Sequence, residues 1–166
     1  MALKALTVSA VFSYVSDLDS AKKRVQVPVD PADPSKGMKE DIQIAEGATK
    51  FLLKPLDVYL MAHIYDRASV LSRNAAESAS SNDVSIHTRV NQTNIDAVRF
   101  GLTGFENFTD ASGSNVALKT VTDNINGREY KAVDADIMNM LGLQLIAELS
   151  EQIKQASQVS KADAKN

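Results

Sequence analysis

Apolar positions recur along the chain in several rhythms, and each rhythm predicts an element. In residues 5–15, Leu6, Val8, Ala10, Phe12 and Tyr14 occupy every second position, the spacing of a half-buried N-terminal strand. The stretch "VPVDPADPSKG", residues 27–37, holds three prolines and a glycine. Each residue before a proline is pushed toward extended backbone, so a structureless loop is predicted there, one that is either disordered or reaches a partner. "GATKFLLKPLD" predicts a short strand over residues 50–53, ended by Pro55, which has no N–H to give to a ladder.

A helical rhythm follows. Leu56, Leu60, Ile64, Ala68 and Leu71 recur at spacings of three and four, with Tyr59 and Met61 widening the apolar face, and predict a helix over residues 56–71. "SRNAAESASSND", residues 72–83, is small and polar; it reads as a connection, or as one more helical turn through Ala75, Ala76 and Glu77. A second helix is predicted with Asn91 or Thr93 as its cap and Ile95, Val98, Arg99 and Leu102 continuing it, until Gly101 and Gly104 let the chain leave helical geometry. "DASGSN" is a turn, "VALKTVTDNI" and "REYKAV" are strands, and Asn126-Gly127 between them is the strongest short hairpin signal. The last helix starts at an Asp134 cap with Asp136 near its positive end. It carries Ile137, Leu141, Leu145, Leu149 and Ile153 at i+4, with Met140 and Ile146 beside them.

These elements define an α+β chain: a small single domain over residues 1–156 with about three helices, a β-hairpin and an N-terminal strand, followed by a polar tail, residues 157–166. Composition supports the class. At 166 residues, 44% hydrophobic and 23% charged, the chain falls in the range of one globular domain. A domain of this length buries about 70% of the surface its unfolded chain exposes, so it needs no disulfide or metal staple. The absence of cysteine excludes disulfides and thiolate metal sites. A net charge of −3 argues against a general nucleic-acid binder. The N-terminal apolar run is too short and too polar to span a bilayer, and it is read as a strand rather than a signal peptide.

Candidate chemistry is sparse. His63 and His87 lack a second ligand at metal spacing; Asp66 stands three residues after His63, but a surface or boundary role is the simpler reading. "GLTG" has neither the preceding strand nor the lysine of a phosphate loop. Asp17, Asp19, Asp30 and Asp33 lie among Ser and Pro without calcium-loop spacing and read as a solvated acidic loop. No catalytic residue, metal ligand or cofactor site is assigned. In a chain so poor in aromatics, Phe100, Phe105 and Phe108 around two glycines read as core, or else as aromatic anchors for a neighbouring subunit. Together with Val29, Pro31 and Pro34 of the Pro-rich loop they form the candidate interface.

"FLLKPLDVYLMAHIYD", "NIDAVRFGLTGFENFTDASGSNVALKT" and "MLGLQLIAELSEQI" together resemble small proteins encoded among the virion and tail-assembly genes of tailed bacteriophages. The likeness spans roughly residues 50–153. It implies a non-enzymatic protein that works by self-association, either a head-tail connector or other neck or tail component, or a tail assembly chaperone that binds the tape-measure protein and is absent from the mature particle. The implied partners are other phage structural proteins and further copies of the chain, with no sequence-specific nucleic acid and no membrane. The implied location is the virion, and the host cytoplasm during assembly.

Overall fold

The i+4 apolar stripe near the C-terminus becomes the helix α3, Ala135–Ala156. The Asp134 carboxylate accepts the Asp136 N–H at 2.9 Å and closes its first turn. The stripe is interrupted once. Gly142 has φ 71° and ψ 160°, a backbone conformation nearly confined to glycine, and it kinks the helix into two pieces. The kink re-aims the side chains that follow. Ile137, Leu141, Ile146, Leu149 and Ile153 are buried, whereas Leu145 is only half-buried and Met140 is exposed.

The computed structural model describes residues 7–78 and 82–158. Its other elements are the strands β1 (Phe12–Tyr14), β2 (Lys22–Pro28), β3 (Met38–Ile44), β4 (Lys50–Leu53), β5 (Leu102–Glu106), β6 (Thr120–Ile125) and β7 (Arg128–Val133), and the helices α1 (Val58–Ser78) and α2 (Asn82–Gly101). The α+β class, single small domain and N-terminal strand expected from the sequence are all present. The strands form a β1-β4-β5 sheet and two separate hairpins, β2-β3 and β6-β7, every pair antiparallel. In the first sheet Tyr14 faces Phe51 and Phe51 faces Phe105, and the register shifts between Leu52 and Leu53. α2 packs against both α1 and α3.

The core joins the first sheet to the helices through Phe51, Leu53, Leu60, Val98, Leu102 and Leu149, all under 4% exposed. The β6-β7 hairpin, lying as Asn126-Gly127 predicts, is fastened at its side. Tyr130 donates to the Asp57 carboxylate at 3.1 Å, Arg128 stacks on Tyr59, and Arg99 pairs with Asp123 at 2.8 Å. Asp57 also accepts the Leu60 N–H, so the same carboxylate caps α1.

Several sequence expectations change. The N-terminal strand is three residues long, since Ala10 N–H bonds back to Thr7 C=O in a turn; residues 5 and 6 of the expected strand lie outside the described residues. Helix α1 runs on to Ser78, taking the helical alternative for Ala75–Glu77, and residues 79–81 of the expected connection are not among those described. Helix α2 begins at Asn82, so Asn91 and Thr93 are interior positions and not caps. Gly101 and Gly104 do not serve the helix exit through positive φ. They serve close approach: a Cβ at Gly101 would stand 2.7 Å from the Ile153 side chain, and one at Gly104 would stand 3.1 Å from Leu52. In the segment before β7, strand pairing begins only at Thr120. Ser157, assigned to the tail, instead belongs to the body, its hydroxyl accepting the Leu56 N–H at 2.8 Å; residues 159–166 of the tail lie outside the described residues.

Two stability predictions follow from this packing. Leu149→Ala, at a site with no exposed surface, should cost about 2–5 kcal/mol, and Leu145→Ala, half-buried, clearly less; urea midpoints of the two variants give the order. Gly101→Ala should lower stability by about 1–3 kcal/mol, because Ile153 is itself fully buried and has no room to yield. A Gly101→Ala protein as stable as the parent in the same titration would contradict the α2–α3 contact.

Candidate functional site

The residues predicted as a Pro-rich loop form the tip of an arm. β2 and β3 pair in unbroken register from Lys22↔Ile44 to Pro28↔Met38, and Val29 N–H donates to Gly37 C=O at 2.9 Å beyond the last pair. The tip is therefore ordered by local bonds, which corrects the structureless loop expected for residues 27–37. Asp33 caps a single 3-10 turn, Pro34–Lys36, through Ser35 N–H, and Asp30 accepts from Ala32 N–H and from Lys36 Nζ at 2.6 Å. The Lys36 ammonium holds the Asp30 carboxyl below the usual carboxylate range.

The arm has no core of its own. All seven residues of β3 are exposed, and Met38, Ile42 and Ile44 each keep half or more of their surface. The register sets these three on one face together with Pro28 and Arg24. Among the described residues no other strand pairs with either outer edge. A lone two-stranded ribbon is marginal in water, so the arm depends on its root.

The root is polar and closely bonded. Glu148 of α3 accepts from Tyr14 Oη at 2.7 Å, Ser16 Oγ at 2.6 Å and Asp17 N–H at 2.6 Å. Lys22, the first residue of the arm, pairs with Asp17 at 2.7 Å, donates to Val15 C=O at 2.7 Å and lies over the Tyr14 ring. Arg24 bridges Asp17 and Glu40. Asp19 accepts the N–H groups of Ala21 and Thr49 and ties both ends of the arm to the body. Burial and the Glu148 carboxylate push the Tyr14 phenol well above its ordinary range, while Lys22 holds Asp17 low.

The predicted interface residues divide between two places. Val29, Pro31 and Pro34 are exposed at the arm tip. Phe100 is 3% exposed and belongs to the core, so it is no surface anchor. Phe105 and Phe108 are half-buried against that core, their rings 5.0 Å apart. Phe108 also lines a cleft of about 320 Å³ at the arm root with Leu18, Asp19, Thr49, Phe51 and Leu145. The two strands of the arm, which sequence reasoning passed over, are thus the main exposed feature. Their one legible signal was polarity: "KKRVQVP" and "MKEDIQI" carry six charges in fourteen residues, too many for buried strands.

Elsewhere the candidate chemistry resolves into structure. His63 is partly exposed on α1, and His87 lies on α2 where only the backbone is described. Asp17, Asp19, Asp30 and Asp33 are each engaged in the ion pairs and turns above. Among the described residues no three His, Asp or Glu side chains converge as a metal cage, and no helix is long and apolar enough to cross a membrane. One buried carboxylate stands apart: Asp96, 2% exposed, meets Arg67 at 3.4 Å through Oδ1, while its Oδ2 has no hydrogen-bond partner. Comparison of the chain with protein-family models, curated proteins and solved structures finds no match.

The root predicts an alkaline signature. Because the folded protein holds the Tyr14 proton more tightly than the unfolded chain, the stabilisation is complete below the ordinary value of 10.0 and is lost as pH rises through the higher folded value. Tyr14→Phe should cost about 1 kcal/mol near neutrality, and the gap to the parent should narrow from about pH 10 upward. Denaturant melts at rising pH read both; a gap that widens in alkali contradicts the Tyr14–Glu148 bond.

Proposed function

We propose that the chain is a non-enzymatic structural protein of a tailed-bacteriophage particle, a component of the head-tail connector, neck or tail region that acts through self-association and protein-protein contacts. The observation that carries this reading is the arm: seven paired residues on each strand, anchored at the root, with apolar side chains kept in solvent. An isolated domain gains nothing from such a ribbon. A particle component gains a limb that finds its missing contacts on a neighbour, as interfaces between subunits commonly supply. The likeness of residues 50–153 to virion and tail-assembly proteins points the same way, with the virion as the final location and the host cytoplasm as the site of assembly.

Mass spectrometry of purified particles tests the proposal. A stoichiometric band supports a virion component, and presence in infected cells with absence from particles supports the tail assembly chaperone instead. A shortened arm gives a second measurement. Replacing residues 29–36 with Asn-Gly should leave the melting temperature near that of the parent, since no core residue is touched, yet abolish incorporation into particles. Normal incorporation of the shortened chain would remove the arm from the proposed role.

A further inference from the structure

The two free edges of the arm differ in charge. β2 presents Lys22, Lys23 and Arg24 with no acid, whereas β3 presents Glu40 and Asp41 against a single Lys39. We propose that the free β2 edge of one copy pairs antiparallel with the free β3 edge of a second copy, joining arms side by side and head to tail. The proposal rests on the reading above and specifies the surface by which the protein self-associates.

The physical argument begins with the unpaired backbone. Each outer edge presents N–H and C=O groups that a further strand would satisfy, and neither strand has a bulge in its register; proline occurs only at Pro28, the last residue of β2. Charge then selects the partner edge. Two β2 edges would bring six cations together with no anion, and two β3 edges would bring four carboxylates together with two lysines. A β2–β3 contact instead sets cations against carboxylates. Within one arm Arg24 and Glu40 already make this kind of contact diagonally, at 3.2 Å. Repeating the register between copies places Arg24 beside the second copy's Glu40 on one face, and Lys23 beside its Asp41 on the other. The Lys23 side chain is exposed and, among the described residues, makes no ion pair or hydrogen bond, so it is available for this contact. The same register sets Lys22 and Arg24 of one copy beside Ile44 and Ile42 of the next, where their aliphatic stems cover part of those half-exposed side chains. Because the two edges are different surfaces, the contact is heterologous and builds rings or open helices rather than closed two-fold dimers.

Sedimentation velocity of the full chain over a hundredfold concentration range, at about 0.05 M and about 0.5 M NaCl, tests the pairing. The parent protein should form species larger than a dimer, more weakly at high salt. Lys23→Glu and Asp41→Lys should each weaken association by about tenfold or more, and an equimolar mixture of the two variants should recover it, since every contact then finds either the original or the exchanged charge pair. Circular dichroism establishes that each variant is folded. Should either fail to fold, zero-length coupling of Lys23 to Asp41 between isotopically light and heavy copies of the parent is expected instead. A monomer at all concentrations, a dimer as the largest species, no rescue on mixing, or coupling within single copies alone would overturn the edge pairing. Each of these results leaves the virion role to be decided separately by the particle composition.

Discussion

One carboxylate determines where the arm stands. Glu148 gathers a phenol, a hydroxyl and a backbone N–H from a segment 131 to 134 positions away in the chain, and charge-assisted bonds of this kind are about twice as strong as neutral ones. Tyr14 is thereby held flat enough for Lys22 to lie over it, and Asp17 is held where both Lys22 and Arg24 reach it. The direction of β2 follows from those contacts. Without Glu148 the residues from Tyr14 to Asp17 lose their common acceptor, and the bearing of the ribbon is left to the Asp19 bonds with Ala21 and Thr49 and to the Lys22 contact with Val15.

The division of labour between body and arm is one of burial. The body spends its apolar residues on a core shared by one three-stranded sheet, three helices and the β6-β7 hairpin, with α2 and α3 so close at Gly101 that even a methyl group is excluded. The arm keeps its apolar residues outside and relies on hydrogen bonds and ion pairs. A folded body and an under-contacted limb can thus coexist in one short chain, because the limb adds little to the body's stability and takes little from it.

What was legible in the sequence follows the same division. α3 and the β6-β7 hairpin could be read because each has a strong local rule: an apolar stripe buried on one face, and a turn whose Asn126 and Gly127 both adopt positive φ. The strand β4 was delimited by Pro55. β2 and β3 escaped because strand alternation is written by burial of one face, and here neither face is buried; Val25 and Val27 on one side are offset by Ile42 and Ile44 on the other. The first half of α2 escaped for a related reason, since "NDVSIHTRVNQ" has few apolar positions from which to read a period. Of the candidate interface, Val29, Pro31 and Pro34 were placed at an exposed tip by proline alone, whereas the destination of Phe100 depended on α2 reaching Gly101 without a break. The Glu148 cluster was beyond sequence reasoning altogether, since nothing local marks one glutamate among the acids of a helix.

The freedom of the arm from the core has a bearing on how such a protein changes over generations. Seven residues at about 3.3 Å each give a reach of roughly 23 Å, and that length is not dictated by any packing in the body. Adding one residue to each strand would lengthen the limb by a single rung without disturbing a buried side chain, whereas adding one to a single strand would turn every later side chain to the opposite face. Distance between neighbours is therefore adjustable in matched steps, and a lineage could alter the span of its contacts while leaving the body untouched.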